Sequence, residues 1–346
     1  MDKNTYSFIK RKHLSNEGIQ YKSIFREIRT LKIIEKKSEY LIQIQDLKLS
    51  NDNSEIFFYF PNEGIDLFSL INTKVFDYKA PKDLIKWIMF QILKGIETLN
   101  SLNIIHRDIN PKNILISSQG KIKIAGFARS INDIESKFVD DKVVGELAYI
   151  SPEVLILQNF NSKIDVWGAG IVMLELYFKK SMLLMNNEDN NNESNQMRLF
   201  RQLKFLANFF GVPFNFSENN YSKEDLINWL NNAKFNQEKF RKILEAVPDL
   251  EKDAVELLEK LLNFNPKERI SAKEALKMPY FQSFQNFNKD EFKKKKYKGN
   301  NDNLTLFFKN LEKEYQKIEK ISPDKKSETF KKELLKLFQT NSTINC

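Results

Sequence analysis

Residues 105–113 read Ile-His-Arg-Asp-Ile-Asn-Pro-Lys-Asn, and no other stretch constrains this chain as tightly. An apolar helix is predicted before them over residues 83–102, with Leu84, Ile88, Phe90, Ile92 and Leu93 available for burial. A short hairpin is predicted after them, residues 114–116 and 121–124 joined across 117–120. A polar loop with Asp108 and Asn113 five positions apart is therefore held between two apolar elements.

The 346 residues are 41% apolar and 29% charged, ample for a buried core and ordinary for a soluble globule. The single cysteine, Cys346, excludes intramolecular disulfides and cysteine-based zinc sites. The two histidines, His13 and His106, exclude a histidine-rich metal centre. No run of 18 apolar residues exists, so no membrane span is expected, and the N-terminus lacks a signal-peptide core. The expected location is intracellular and cytoplasmic. Cytoskeletal or ciliary association is compatible with the sequence but does not follow from it.

Net charge is +9, and residues 284–346 carry 15 Lys against nine acidic residues. That tail reads either as a solvated lysine-rich segment or as a contact for an acidic surface, centred on Lys293, Lys294, Lys295, Lys296 and Lys298. Apolar stripes predict helices within it over residues 304–321 and 329–338. The Asn-rich residues 186–195 read as a loop.

The first 70 residues read as a small mixed segment. A strand is predicted over 6–10. A helix follows over 21–34, with Ile24, Phe25, Ile28 and Leu31 at helical spacing. Two strands are predicted over 40–49 and 55–60. Beyond residue 71 helices dominate, over 163–178, 196–210, 223–231, 236–246, 251–263 and 271–277.

The stretch at 105–113 resembles the catalytic loop of the eukaryotic protein kinases. In that family the Asp accepts the proton of the substrate hydroxyl and the Asn holds a metal ion, which the resemblance places at Asp108 and Asn113. Ser151-Pro152-Glu153 stands where the family has A-P-E. Residues 165–170, beginning at Asp165, resemble its D-x-W-x-x-G helix start, and Arg269 resembles the arginine that pairs with Glu153. Phe25-Arg26-Glu27-Ile28 is similar to a helix of the cyclin-dependent and mitogen-activated branch, the CMGC kinases. By the same match Lys10 falls at the ATP-phosphate lysine and Glu27 at its helix partner. The implied fold is α+β and bilobal, covering residues 1–283. Its N-lobe, about 1–62, is reduced, and its C-lobe, about 63–283, is mainly helical; residues 284–346 form a basic tail.

Against that resemblance the departures matter most. Lys10 has only nine residues before it, so the glycine-rich loop and the first two strands are expected to be missing, with a truncated start of the sequence as the alternative. Phe8 stands at the small residue above adenine. Gly126-Phe127-Ala128 replaces D-F-G, so no carboxylate is present at the metal-ligand position, and Asn110 replaces the loop lysine. Glu146 and Ile150 replace a Thr and an Arg of the activation segment.

Architectural positions are retained. His106, Phe127, Leu31 and Ile44 match an apolar column linking the lobes, which Asp165 anchors. Arg107 and Arg26 match residues that gather a phosphorylated side chain, and Asp141 either replaces that phosphate or is a solvated loop acid. The expectation is a pseudokinase serving as scaffold or docking subunit for protein partners, with no cofactor. Residues 6–10 form its open sheet edge, suited to strand addition. The alternative is a working Ser/Thr kinase using ATP and Mg²⁺; a second alternative is a module binding an acidic polymer through the basic tail.

Overall fold

The computed structural model describes residues 7–13, 18–50, 54–72, 82–117, 119–133, 143–180, 194–217, 221–233, 236–245, 247 and 250–285. Tyr6, Asp141, the Asn-rich residues 186–193 and the lysine-rich tail with its two expected helices lie outside them.

The N-terminal lobe is a sheet backed by one helix. Strand β1 (Ser7–His13) leads to helix α1 (Gly18–Ile33), then β2 (Asp46–Leu49) and β3 (Glu55–Pro61). Both β1 and β2 pair antiparallel with β3, giving the order β1-β3-β2 and leaving β1 at an edge. Alternation along β3 sends Ile56, Phe58 and Phe60 into the main core, while Phe57 meets Ile9 on the opposite face. Cross-strand partners share a face. Lys10 and Lys12, opposite Phe58 and Ile56, therefore lie on the α1 side.

Helix α1 buries Ile24, Glu27, Thr30 and Leu31, and Ile34 just past its end continues the stripe at three- and four-residue spacing. Phe25 was grouped with that stripe from sequence, but it is 68% exposed. It follows Ile24 directly, so the helix turns it about 100° away from the buried face. The strand expected over 40–49 is shorter, confined to β2. Its first residues bond elsewhere: Ile42 N–H donates to Ile124 O (2.9 Å) and Ile124 N–H to Tyr40 O (2.8 Å). Those backbone groups stitch the lobes together instead of extending the first sheet.

The chain continues through β4 (Ile65–Asp66), α2 (Leu67–Ile71) and the long α3 (Lys82–Ser101). Short strands β5 (Ile104–Ile105), β6 (Ile114–Ile116), β7 (Ile122–Ile124) and β8 (Ile131–Asn132) follow. The β6–β7 hairpin is clamped to α3. Trp87 Nε1 and Gln91 Nε2 donate to Gly120 O at 3.0 and 2.9 Å, and Gln91 Oε1 accepts from Ile122 N at 3.0 Å. Thus α3 positions both ends of the polar loop between β5 and β6.

The helical lobe comprises α4 (Pro152–Leu155), α5 (Lys163–Phe178), α6 (Asn195–Phe210), α7 (Lys223–Asn232), α8 (Gln237–Leu244), α9 (Lys252–Leu261) and α10 (Ala272–Ala275). Helix α5 is apolar all round and runs through the core, so nearly every one of its residues is buried. Gly168 lets the polar loop approach it, since a Cβ there would stand 2.8 Å from Ile109 O. No helix among the described residues is long and apolar enough to cross a membrane.

One ion pair ties α4 to the end of the helical lobe. Arg269 binds Glu153 through both guanidinium ends, Nη1–Oε1 2.6 Å and Nη2–Oε2 2.9 Å, with both side chains out of solvent. The guanidinium also donates to Asn263 O (2.9 Å) and stacks 5.0 Å from the Trp167 ring. Removing one partner strands the other charge in the core. Glu153→Gln is expected to lower unfolding stability by about 3–5 kcal/mol in urea titrations; a loss under about 1 kcal/mol would show the pair to be dispensable.

Candidate functional site

The site is built on the loop between β5 and β6. Asp165, at the start of α5, accepts the backbone N–H of His106 at 2.7 Å and of Arg107 at 2.9 Å. Arg107 takes the left-handed φ of 63°, and its Nε donates to Arg129 O at 2.6 Å. His106 is fully buried. Asp108 N–H donates to its Nδ1 at 3.2 Å, which leaves Nε2 to donate to Ala125 O at 2.8 Å. Burial holds the ring's pKa below its ordinary value, in keeping with that neutral tautomer.

The His106 ring meets Phe127 edge-on at 5.0 Å. Leu31 and Ile44 belong to the same apolar core as Phe127, and His106 meets that core through the Phe127 ring. Helix α1 packs on the 3-10 turn Phe127–Arg129. A buried hydroxyl pair links them: Ser130 Oγ donates to Phe127 O at 2.7 Å and stands 2.6 Å from Thr30 Oγ1, which leaves Thr30 as the donor to Ser130.

Asp108 is closely surrounded. Its Oδ1 accepts Asn110 Nδ2 at 2.9 Å. Its Oδ2 accepts both Asn113 Nδ2 at 2.8 Å and Arg129 Nη1 at 2.7 Å. Asn110 also caps the 3-10 turn Pro111–Asn113 by accepting Lys112 N–H at 2.9 Å. Asn110 thus serves the loop's own backbone and carboxylate, where a lysine would have projected a charge.

Across the cleft, Glu27 on α1 is 2% exposed and faces two ammonium groups, Lys10 Nζ at 2.7 Å and Lys12 Nζ at 3.0 Å. Burial alone would raise the Glu27 pKa, but the two lysines overcome it and hold the carboxyl below its usual range. For Lys12 burial wins, helped by the charge of Lys10, and its pKa is lowered despite Glu27.

Gly126 adopts the left-handed conformation, φ 85° and ψ 43°, at the turn into Phe127. A Cβ on it would lie 2.3 Å from Asn113 Oδ1. The space beside a metal-ligand position is therefore filled by the Asn113 amide, whose nitrogen points back to Asp108. Among the described residues no three His, Cys, Asp or Glu side chains gather as they would around a metal ion. These donors fit an Mg²⁺ ion poorly: the carboxylate expected at Gly126 is absent, which leaves the neutral Asn113, whose Nδ2 donates to Asp108, as the one remaining ligand of the expected pair. The phosphate side is different, because Lys10 is in place against Glu27.

Glu146 pairs with Lys112 at 3.0 Å at the mouth of the loop, and Ile150 is buried. The Phe8 side chain lies outside the described residues, as does Asp141. Two functional-site residues escaped the sequence reading. Lys12 carried a usable signal, since it is two residues from Lys10 and strand alternation puts both on one face. Arg129 carried none, because only the 3-10 turn brings it back to Asp108.

A small sheet-bearing lobe, a helical lobe and a cleft loop holding Asp108 and Asn113 define a protein kinase fold. Residues 2–281 match the protein kinase domain family, and the chain belongs to it. It is 32% identical over 277 residues to mitogen-activated protein kinase 10 of Arabidopsis thaliana, covering 77% of this chain and 64% of that protein. It is 29% identical to mitogen-activated protein kinase HOG1 of Saccharomyces cerevisiae over 75% of this chain and 54% of that one. With cyclin-dependent kinase 12 of Caenorhabditis elegans it shares 30% over 80% of this chain and 37% of that one. The chain therefore spans less than two thirds of the length of these relatives, which place it in the CMGC branch.

Asp165 offers a test of the scaffold beneath the site. Burial raises its pKa from an ordinary 3.8 to about 7, against the pull of the two backbone hydrogen bonds. A raised acid pKa means that the native state holds a proton the unfolded state has released. Stability from this group is full below about pH 4 and declines as pH rises towards about 7. Urea titrations between pH 4 and 7 are expected to show the parent chain losing stability relative to Asp165→Asn. Parallel curves would contradict this.

Proposed function

We propose that this chain is a pseudokinase: a kinase fold that serves as a scaffold or docking subunit in an intracellular assembly and does not transfer phosphate. The observation that carries the reading is the state of Asp108. Its carboxylate accepts Asn110, Asn113 and Arg129, which occupy three of its about four acceptor positions and weaken it as a base for an incoming hydroxyl. Gly126 supplies no second carboxylate for a metal, and in phosphoryl transfer the metal and the surrounding cations provide most of the stabilisation. Loss of one such electrostatic group typically costs a factor of about 10²–10³ in rate.

In this reading Asp108 and Asn113 hold the loop, Lys10 and Glu27 hold α1 to the sheet, and no metal cofactor is used. His106, Arg107, Phe127, Glu153, Asp165 and Arg269 maintain the frame. Residues 1–283 act as the kinase-like domain and 284–346 as a separate basic tail, whose lysines 293–298 suit an acidic surface. The edge of β1 is the proposed strand acceptor for a protein partner, since among the described residues it pairs with β3 on one side alone.

The Lys10–Glu27 pair and the His106–Phe127 stack favour a second reading, an active Ser/Thr kinase using ATP and Mg²⁺. One assay separates the two. The purified chain is incubated with radiolabelled ATP, Mg²⁺ or Mn²⁺ and a basic protein substrate, beside Asp108→Asn. The pseudokinase reading predicts equal background incorporation for both; incorporation abolished by Asp108→Asn would establish the kinase.

A further inference from the structure

The sheet of the N-terminal lobe has two faces, and α1 covers one of them. On the other, Ile9 of β1 is 4% exposed and Phe57 of β3 is 2% exposed. Among the described residues the apolar neighbour of this pair is Tyr59, itself half-buried. The register sets Arg11 of β1 and Lys48 of β2 on either side of Phe57. The Lys48 ammonium lies 5.2 Å from the Tyr59 ring, and Arg11 pairs with Glu55. Long basic side chains can shade an apolar surface with their stems while their charged ends stay in water. Here the side chains that would do the shading are themselves withdrawn: Arg11 is 20%, Glu55 13% and Lys48 27% exposed. An antiparallel sheet face open to water keeps its charged residues mostly exposed. Burial on this scale calls for a second layer over the face.

That layer must bring an apolar stripe and suit two flanking cations. The stretches adjoining the sheet in the chain bring little: residues 1–6, 14–17 and 51–53 hold Met1, Tyr6 and Leu14 as their apolar side chains. Residues 304–321 bring Leu304, Phe308, Leu311, Tyr315 and Ile318, spaced by four, three, four and three, which is one face of a helix. On such a helix Glu314 borders the stripe on one side and Glu312 and Glu319 on the other, while Lys309, Lys313 and Lys320 fall on the far side. An acid-bordered apolar stripe complements an apolar pair bordered by Arg11 and Lys48. The connection is long enough. The described residues end at Gln285, where Phe284 packs on Trp87 and Phe90. The 18 residues from 286 to 303 reach about 60 Å when extended, and a domain of this size has a radius of gyration of about 19 Å.

We propose that residues 304–321 dock as a helix on the outer face of the N-lobe sheet, over Ile9, Phe57 and Tyr59. The tail is then anchored twice, at Phe284 and at this face, and its lysine-rich residues 293–298 lie in the loop between the anchors. The inference is independent of whether the chain transfers phosphate, because these side chains lie on the sheet face away from Glu27 and the cleft.

The test uses the full chain with the photoreactive p-benzoylphenylalanine in place of Tyr59, followed by peptide mass spectrometry. A cross-link within one chain to residues 304–321 is expected. Phe308→Asp combined with Leu311→Asp, both outside the described fold, is expected to reduce it at least tenfold. A second measurement avoids the bulky substitution. In a Cys346→Ser background, the thiol of Lys48→Cys is expected to react with iodoacetamide about tenfold faster once the two tail substitutions are made. Cross-links to any other segment, cross-links to a second copy of the chain, or none at all overturn the proposal. Labelling rates that the tail substitutions leave unchanged also overturn it, and they decide the matter where the Tyr59 variant fails to fold.

Discussion

The fold depends on one buried carboxylate. Asp165 sits at the start of the central helix α5 and holds two consecutive backbone N–H groups of the loop, at His106 and Arg107. Those two bonds fix where His106 meets Phe127, and Phe127 is where the small lobe rests on the large one through α1. They also bend the chain at Arg107, so that Asp108 emerges towards the cleft. A carboxylate at this depth is costly to ionise, which is why its pKa is lifted to about 7.

Around that frame the electrostatics have been rearranged while the geometry persists. The Lys10–Glu27 pair and the His106–Phe127 stack give α1 and the cleft loop a closed, mutually packed arrangement. The charges that would handle a metal are absent or turned inward. Gly126 carries no side chain, Asn113 bends back to Asp108 Oδ2, and Arg129 shares that oxygen. Arg129 thus adds a cation beside Asp108, and Gly126 leaves a carboxylate out. Packing is insensitive to that exchange, whereas phosphoryl transfer is highly sensitive to it. On the pseudokinase reading proposed above, this asymmetry lets a kinase fold outlast kinase chemistry.

Much of this was legible in the sequence, for identifiable reasons. Helix periodicity located α1, α3, α5, α6, α7, α8 and α9, because long apolar stripes leave little choice of partner face. The spacing from Asn113 to Gly126 exposed the lost carboxylate without any structure. Phe25 misled, since a residue adjacent to a buried position looks periodic until the helix phase is known. Residues 40–42 also misled, because β-type composition does not reveal which strand receives the backbone bonds. The cover on Asp108 by Arg129 and the Thr30–Ser130 hydroxyl pair were beyond sequence reasoning. The first depends on a single 3-10 turn, and the second joins residues 100 positions apart.

The central claim is that no divalent metal is seated beside Gly126. It is tested most directly by electron paramagnetic resonance of Mn²⁺ titrated into the full chain with a non-hydrolysable ATP analogue. The account predicts a spectrum indistinguishable from Mn²⁺ and the analogue in buffer at every protein concentration. A stoichiometric, broadened protein-bound signal that is lost in Asn113→Ala would contradict it.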